Sequence, residues 1–190
     1  FVGNISASGA ITSSGFQLLG SGTAELEVEG HITASGTIKS AGLNIEQTAS
    51  IQYRHFDTGS STLDSAGGAM GDIVKFGGST TVAGEIYYLK TDGGWENTDA
   101  DTATKSTGSI AVAIGTNATI DGMLLRGTVN LGHDPGGGIG TPLYLAIAAG
   151  SASSAAPTGN GHIARVIGYN LDTSGMIYFN PDNTFVEVSA

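Results

Sequence analysis

The chain contains no cysteine. Disulfides, thiolate nucleophiles and zinc–cysteine centres are therefore excluded. Basic residues are nearly as scarce, with 7 Lys and Arg against 17 Asp and Glu and a formal net charge of −10. The seven are scattered along the whole length. Nucleic acid and anionic membrane surfaces need clustered cations to displace counterions, so neither is an expected partner. Charged residues of both signs reach only 13%, about half the roughly 25% of an ordinary soluble domain. No apolar run approaches the roughly 18 residues of a membrane-spanning helix, and no membrane insertion is expected. The opening FVGNIS shows neither the basic nor the apolar region of a secretory signal. It does not begin with Met, and the chain reads as a piece of a longer polypeptide.

Familiar catalytic signatures are missing too. There is no Gly-x-Ser-x-Gly nucleophile turn, and no histidine is followed by Glu as in His-Glu-x-x-His. DPGGGIGTP, Asp134 to Pro142, is glycine-rich but lacks the Gly-Lys-Ser/Thr of a phosphate loop. It reads as a long turn between strands. His31, His55, His133 and His162 are isolated in sequence. They read as packed or solvent-facing side chains. His31 alone, lying in a repeat, would reach a three-fold metal site through symmetry. No catalytic residue, cofactor or metal is expected, and the chain is not read as an enzyme.

What the sequence does have is repetition. GNISASGAITSSG at Gly3 to Gly15 returns as GHITASGTIKSAG at Gly30 to Gly42. Each copy places two isoleucines six apart, Ile5 and Ile11, then Ile32 and Ile38. Burying an isoleucine is worth about 1.5–3 kcal/mol, while ordering each residue costs about 1–2 kcal/mol. Four isoleucines cannot order some fifty residues of a solitary chain. They suffice if identical chains share one axial core, with glycines and small residues letting the backbones approach. The expectation for residues 1–50 is a repetitive Gly/Ser/Thr-rich β stalk that folds only as an oligomer, a homotrimer, with those four isoleucines on the axis. The alternative is a flexible Gly/Ser linker. Between the repeats, TAELEVEG alternates, with Leu26 and Val28 on one face and Glu25, Glu27 and Glu29 on the other. These carboxylates read as a solvated outer face rather than a calcium site.

After residues 51–70, a connecting strand and a loop (GSSTLDSAGGAMG), the texture becomes denser. DIVKF, GEIYYLK, SIAVAIG, GMLLRGTVNLG, PLYLAIAAG, HIARVIGYNL, GMIYFN and TFVEV are short β-rich runs closed by turn residues. Such spacing predicts an all-β fold, a compact antiparallel β-sandwich or barrel head over residues 71–190. Alternation nominates Ile73, Tyr87, Val112, Leu124, Val129, Leu143, Leu145, Val166, Ile177, Phe179 and Val186 for its core.

A repetitive stalk leading into a β head resembles the distal parts of bacteriophage tail fibres and other virion appendages. The Y-L…G-W hairpin, the R-G strand, G-x-P-L-Y-L, R-V-I-G-Y and the closing F-N-P-D resemble phage structural β domains, including capsid decoration proteins. The resemblance implies a homotrimer on the virion, contacting other virion proteins and a host cell-surface glycan or protein. It implies no catalytic residue. A decoration or collar protein without a receptor role is the alternative. A depolymerising tailspike would need paired carboxylates about 5–9.5 Å apart in a groove and a long solenoid of repeats. For attachment, the loop TDGGWENTDADT is the candidate: Trp95 would stack on a sugar ring while Asp92, Asn97 and Asp99 bond its hydroxyls. The competing reading packs Trp95 down as a lid on the core. The loop also holds Glu96 and Asp101, without EF-hand spacing.

Overall fold

The computed structural model describes Gly59 and residues 61–189. The stalk repeats, their four isoleucines, His31 and His55 lie outside the described residues. Strand accounts for 35% of the structure and helix for 5%, and the strands form a curled antiparallel sheet, a half-barrel. The strands are β1 (Ala69–Val74), β2 (Ile86–Leu89), β3 (Trp95–Asn97), β4 (Ile110–Ala113), β5 (Met123–Asn130), β6 (Pro142–Leu145), β7 (Ala152–Ser153), β8 (Ile163–Ala164), β9 (Val166–Asn170), β10 (Met176–Phe179) and β11 (Val186–Glu187). One short helix, α1 (Ala103–Ser106), and a 3-10 turn at Ser61–Leu63 accompany them. The main sheet runs β3-β2-β4-β5-β10-β9-β6-β7, with β1 also paired to β5, and β8 and β11 form a separate ribbon.

Alternation along the strands builds two apolar layers. In β2, Ile86 and Tyr88 face one side while Tyr87 and Leu89 face the other. In β4 the large Ile110 and Val112 join the first layer, and the small Ala111 and Ala113 the second. The first layer gathers Leu124, Val129, Leu143, Leu145, Ile167, Ile177 and Phe179 from strands across the sheet. Only the concave side of a curled sheet brings such distant strands together. Each fully buried side chain there contributes about 1.5–3 kcal/mol. The second layer, on the opposite face, is smaller: Tyr87, Trp95, Ala111, Ala113, Ala118 and Met123.

Strand β5 is where the sheet turns its corner. Along β1, Asp72 pairs with Arg126 and Ile73 with Leu124, which leaves Leu125 as an extra residue. This bulge shifts the phase of alternation, so Leu124 before it and Val129 beyond it both face the concave layer. A bulge also bends and twists its strand. On its second edge β5 pairs with β4 through Met123 and Leu124, then with β10 from Gly127 to Asn130. The change of partner thus coincides with the bend. Just past it, Gly71 and Gly127 stand directly opposite each other. A Cβ on Gly127 would lie 2.1 Å from the Met70 carbonyl oxygen, and its φ is +146°. Only glycine permits that approach.

Most of the expected core is buried: Tyr87, Val112, Leu124, Val129, Leu143, Leu145, Ile177 and Phe179. Three assignments need correction. Ile73 is 40% exposed, because it sits at the bulge. Val166 is half-buried while Ile167 is fully buried. Leu143 pairs with Gly168 and Tyr144 with Val166, so Ile167 is a second extra residue and takes the inner place. Val186 is 66% exposed, since it belongs to the β8–β11 ribbon rather than to the main sheet. PLYL forms strand β6, and Asp134 to Pro142 spans the connection into it. Arg165, 3% exposed, ties the turn after α1 to the segment before β11. Its Nε donates to the Asp182 carbonyl at 2.7 Å, and Nη1 donates to those of Ser106 at 2.8 Å and Gly108 at 2.6 Å.

Candidate functional site

The β2–β3 hairpin closes through Lys90–Gly94. Leu89 pairs with Trp95 at its base, and the Lys90 and Gly93 amides donate across the turn at 2.9 and 3.0 Å. Asp92 organises the tip. Its Oδ1 accepts the Gly94 amide at 2.9 Å, and its Oδ2 meets Lys90 Nζ at 2.9 Å. That ammonium bond, helped by the Gly94 amide, holds the Asp92 carboxyl below its ordinary range, and Asp92 in turn raises Lys90. Both groups are open to water, so the pair adds little stability. It does place two opposite charges at a fixed spot.

The facing wall is the segment after β1, Phe76 to Ser79. Trp95 stitches the two walls together. Its amide donates to Ser79 Oγ at 2.8 Å, and its indole Nε1 donates to the Phe76 carbonyl at 3.0 Å. Between the walls lies an open cleft of about 470 Å³, lined by Gly77, Gly78, Ser79, Lys90, Asp92, Gly93 and Gly94. Nothing stands within 4 Å of where a side chain on Gly78 or Gly93 would begin. Phe76, beside Gly77, is 43% exposed. Its ring lies 5.5 Å from that of Trp95, tilted by 37°.

The structure separates the four residues nominated from the sequence. Asp92 lines the cleft. Trp95 is only 4% exposed and packs among Ala111, Ala113 and Met123. Its ring is not offered to a ligand, which corrects the stacking role and agrees with the lid reading. Asn97 turns away, donating to Glu85 Oε2 at 2.7 Å. Asp99 is buried, with Lys105 Nζ at 3.2 Å, and Glu96 reaches the same ammonium at 3.3 Å. Burial pushes the Asp99 carboxyl up, but the neighbouring Thr102 hydroxyl and the Lys105 ammonium outweigh it and hold it below the usual range. Asn97 and Asp99 are thus fold-building groups.

Sequence reading missed the other wall. Phe76 looked like the end of a strand, DIVKF, whereas β1 stops at Val74. The available signal was the aromatic placed directly before Gly77-Gly78-Ser79. Of the histidines within the described residues, His133 accepts the Ala152 amide at 3.3 Å, and the His162 ring lies against Gly159. Among the described residues, no three His, Asp or Glu side chains gather as metal ligands.

Chemically, the cleft offers an ammonium, a carboxylate, a hydroxyl and bare peptide groups around a floor without side chains, and the exposed Phe76 lies one residue outside that lining. Such a set suits a flat ligand rich in hydroxyls. No family model matches the chain, and no curated protein matches it.

Proposed function

We propose that this chain is a non-enzymatic structural protein of a virion, a trimeric tail-fibre or spike segment whose β head attaches to a host-surface glycan through the hairpin cleft. The observation that carries the sugar-binding part is the glycine-floored cleft edged by the Lys90–Asp92 pair, with the exposed Phe76 in the adjoining chain. Loops held on a rigid β scaffold are where binding groups are most often displayed. The stalk repeats and the low charge content support the appendage reading.

A glycan array probed with the full chain tests the attachment role. Binding should appear, and Asp92→Ala should weaken it about tenfold or more, equivalent to about 1.4 kcal/mol. Because Asp92 is exposed but anchors the turn, the melting temperature should fall only slightly, and Asp92→Asn, which keeps an acceptor for the Gly94 amide, should weaken binding with the turn intact. Phe76→Ala should weaken binding similarly while losing a ring–ring contact worth about 0.5–1.5 kcal/mol. An array without any retained glycan would reject attachment and favour a decoration or collar role. Undiminished binding by all three variants would place the site elsewhere.

A further inference from the structure

A second cleft, of about 490 Å³, shares no residue with the first. Arg165 lines it, together with Thr107, Ser109, Leu125 and Asn183. A guanidinium has five N–H groups. Three of these are taken by the carbonyls of Asp182, Ser106 and Gly108. Nη2 donates no hydrogen bond among the described residues, and the Arg165 side chain is part of the cleft lining. Arg165 forms no ion pair among the described residues. The exposed Asp182 carboxylate adds a favourable charge interaction with Arg165, but its own hydrogen bonds come from the Thr184 amide and hydroxyl. No acidic side chain lines the cleft, while Ser109 and Asn183 bring exposed neutral donors.

A buried cation hydrogen-bonded only to carbonyl oxygens, with its counter-charge on the exposed Asp182 side chain, is an uncommon arrangement in a chain of net charge −10. Buried charges are normally paired. Burial depresses the Arg165 pKa, although the group stays charged.

We propose that this cleft is a binding site for a carboxylate-bearing ligand, anchored on Arg165 Nη2 and flanked by the Ser109 hydroxyl and the Asn183 amide. One cation in an otherwise neutral cleft matches one negative charge. A doubly charged phosphate would ask for more. The site stands independently of whether the hairpin cleft binds a sugar.

The test is an NMR titration of the full chain with D-glucuronate, D-glucose and inorganic sulfate. Glucuronate should shift the Ser109 and Asn183 resonances saturably, glucose should not, and added salt should weaken the response. Ser109→Asp supplies an internal carboxylate. It should reduce glucuronate affinity at least about tenfold and raise the melting temperature, whereas Ser109→Asn should retain binding. Absence of a saturable glucuronate response, an equal response to glucose, tighter binding of sulfate, or unchanged affinity in Ser109→Asp would each overturn the assignment.

Discussion

Asp172 shows how much one side chain holds in this head. Its Oδ1 accepts the amides of Ser174, Gly175 and Met176 at 2.9, 3.0 and 2.8 Å, and Oδ2 takes the Ser174 hydroxyl. Burial raises the carboxyl pKa, but these donors outweigh it, and the folded value lies below the ordinary one. Its stabilisation is therefore present above the unfolded pKa, near 4, and is lost as pH falls through the depressed folded value. Asp172→Asn should cost about 1–3 kcal/mol at neutral pH. Urea denaturation at pH 7 and pH 3 should show that the deficit shrinks in acid. Trp95 makes a different residue-scale case. Trp95→Ala should cost about 3–5 kcal/mol, read from the same denaturation curves, because the indole fills the smaller apolar layer. TDGGWENTDADT by itself leaves open whether that ring points in or out. Ala111, Ala113 and Ala118, distant in sequence, form the hollow that settles it. Asn97 and Asp99 were illegible for the same reason. Their partners Glu85 and Lys105 lie outside any local pattern.

At the level of elements, glycine spacing matters as much as apolar spacing. Gly127→Ala would drive a methyl into the Met70 carbonyl at a left-handed φ. The expected loss exceeds about 3 kcal/mol in chemical denaturation. Gly138→Ala, where the added carbon meets nothing within 4 Å, should stay within about 0.5 kcal/mol. The eight strand-rich runs read from alternation and turn residues all contain strands, because those two signals are local. Phase was less legible. Period-two reading assumes unbroken alternation, and the extra residues Leu125 and Ile167 break it. That is how Val166 took the place of Ile167. The Y-L…G-W hairpin holds β3 against β2, while the short β7 was missed since it exists only through pairing with β6. Helix α1, with the unremarkable sequence ATKS, has no periodicity to announce it.

For the molecule as a whole, the β head follows from short strands and frequent turns, while the proposed stalk rests on the repeats alone. Replacing Ile32 and Ile38 with Asp should put unpaired charges into a shared axial core. Sedimentation should then show the proposed trimer dissociating; an unchanged mass and melting curve would reject axial packing. Strand β5 has one more consequence, in time rather than space. Its first partner, β1, precedes it, but the edge from Gly127 to Asn130 waits for Met176–Phe179. A ribosome adding about 5–20 residues per second leaves that edge bare for several seconds. Throughout that interval the concave apolar face lacks Leu143, Ile167, Ile177 or Phe179 in turn. The nascent head is thus a sticky, unfinished trough, open to strands of neighbouring chains, until nearly its last residues emerge.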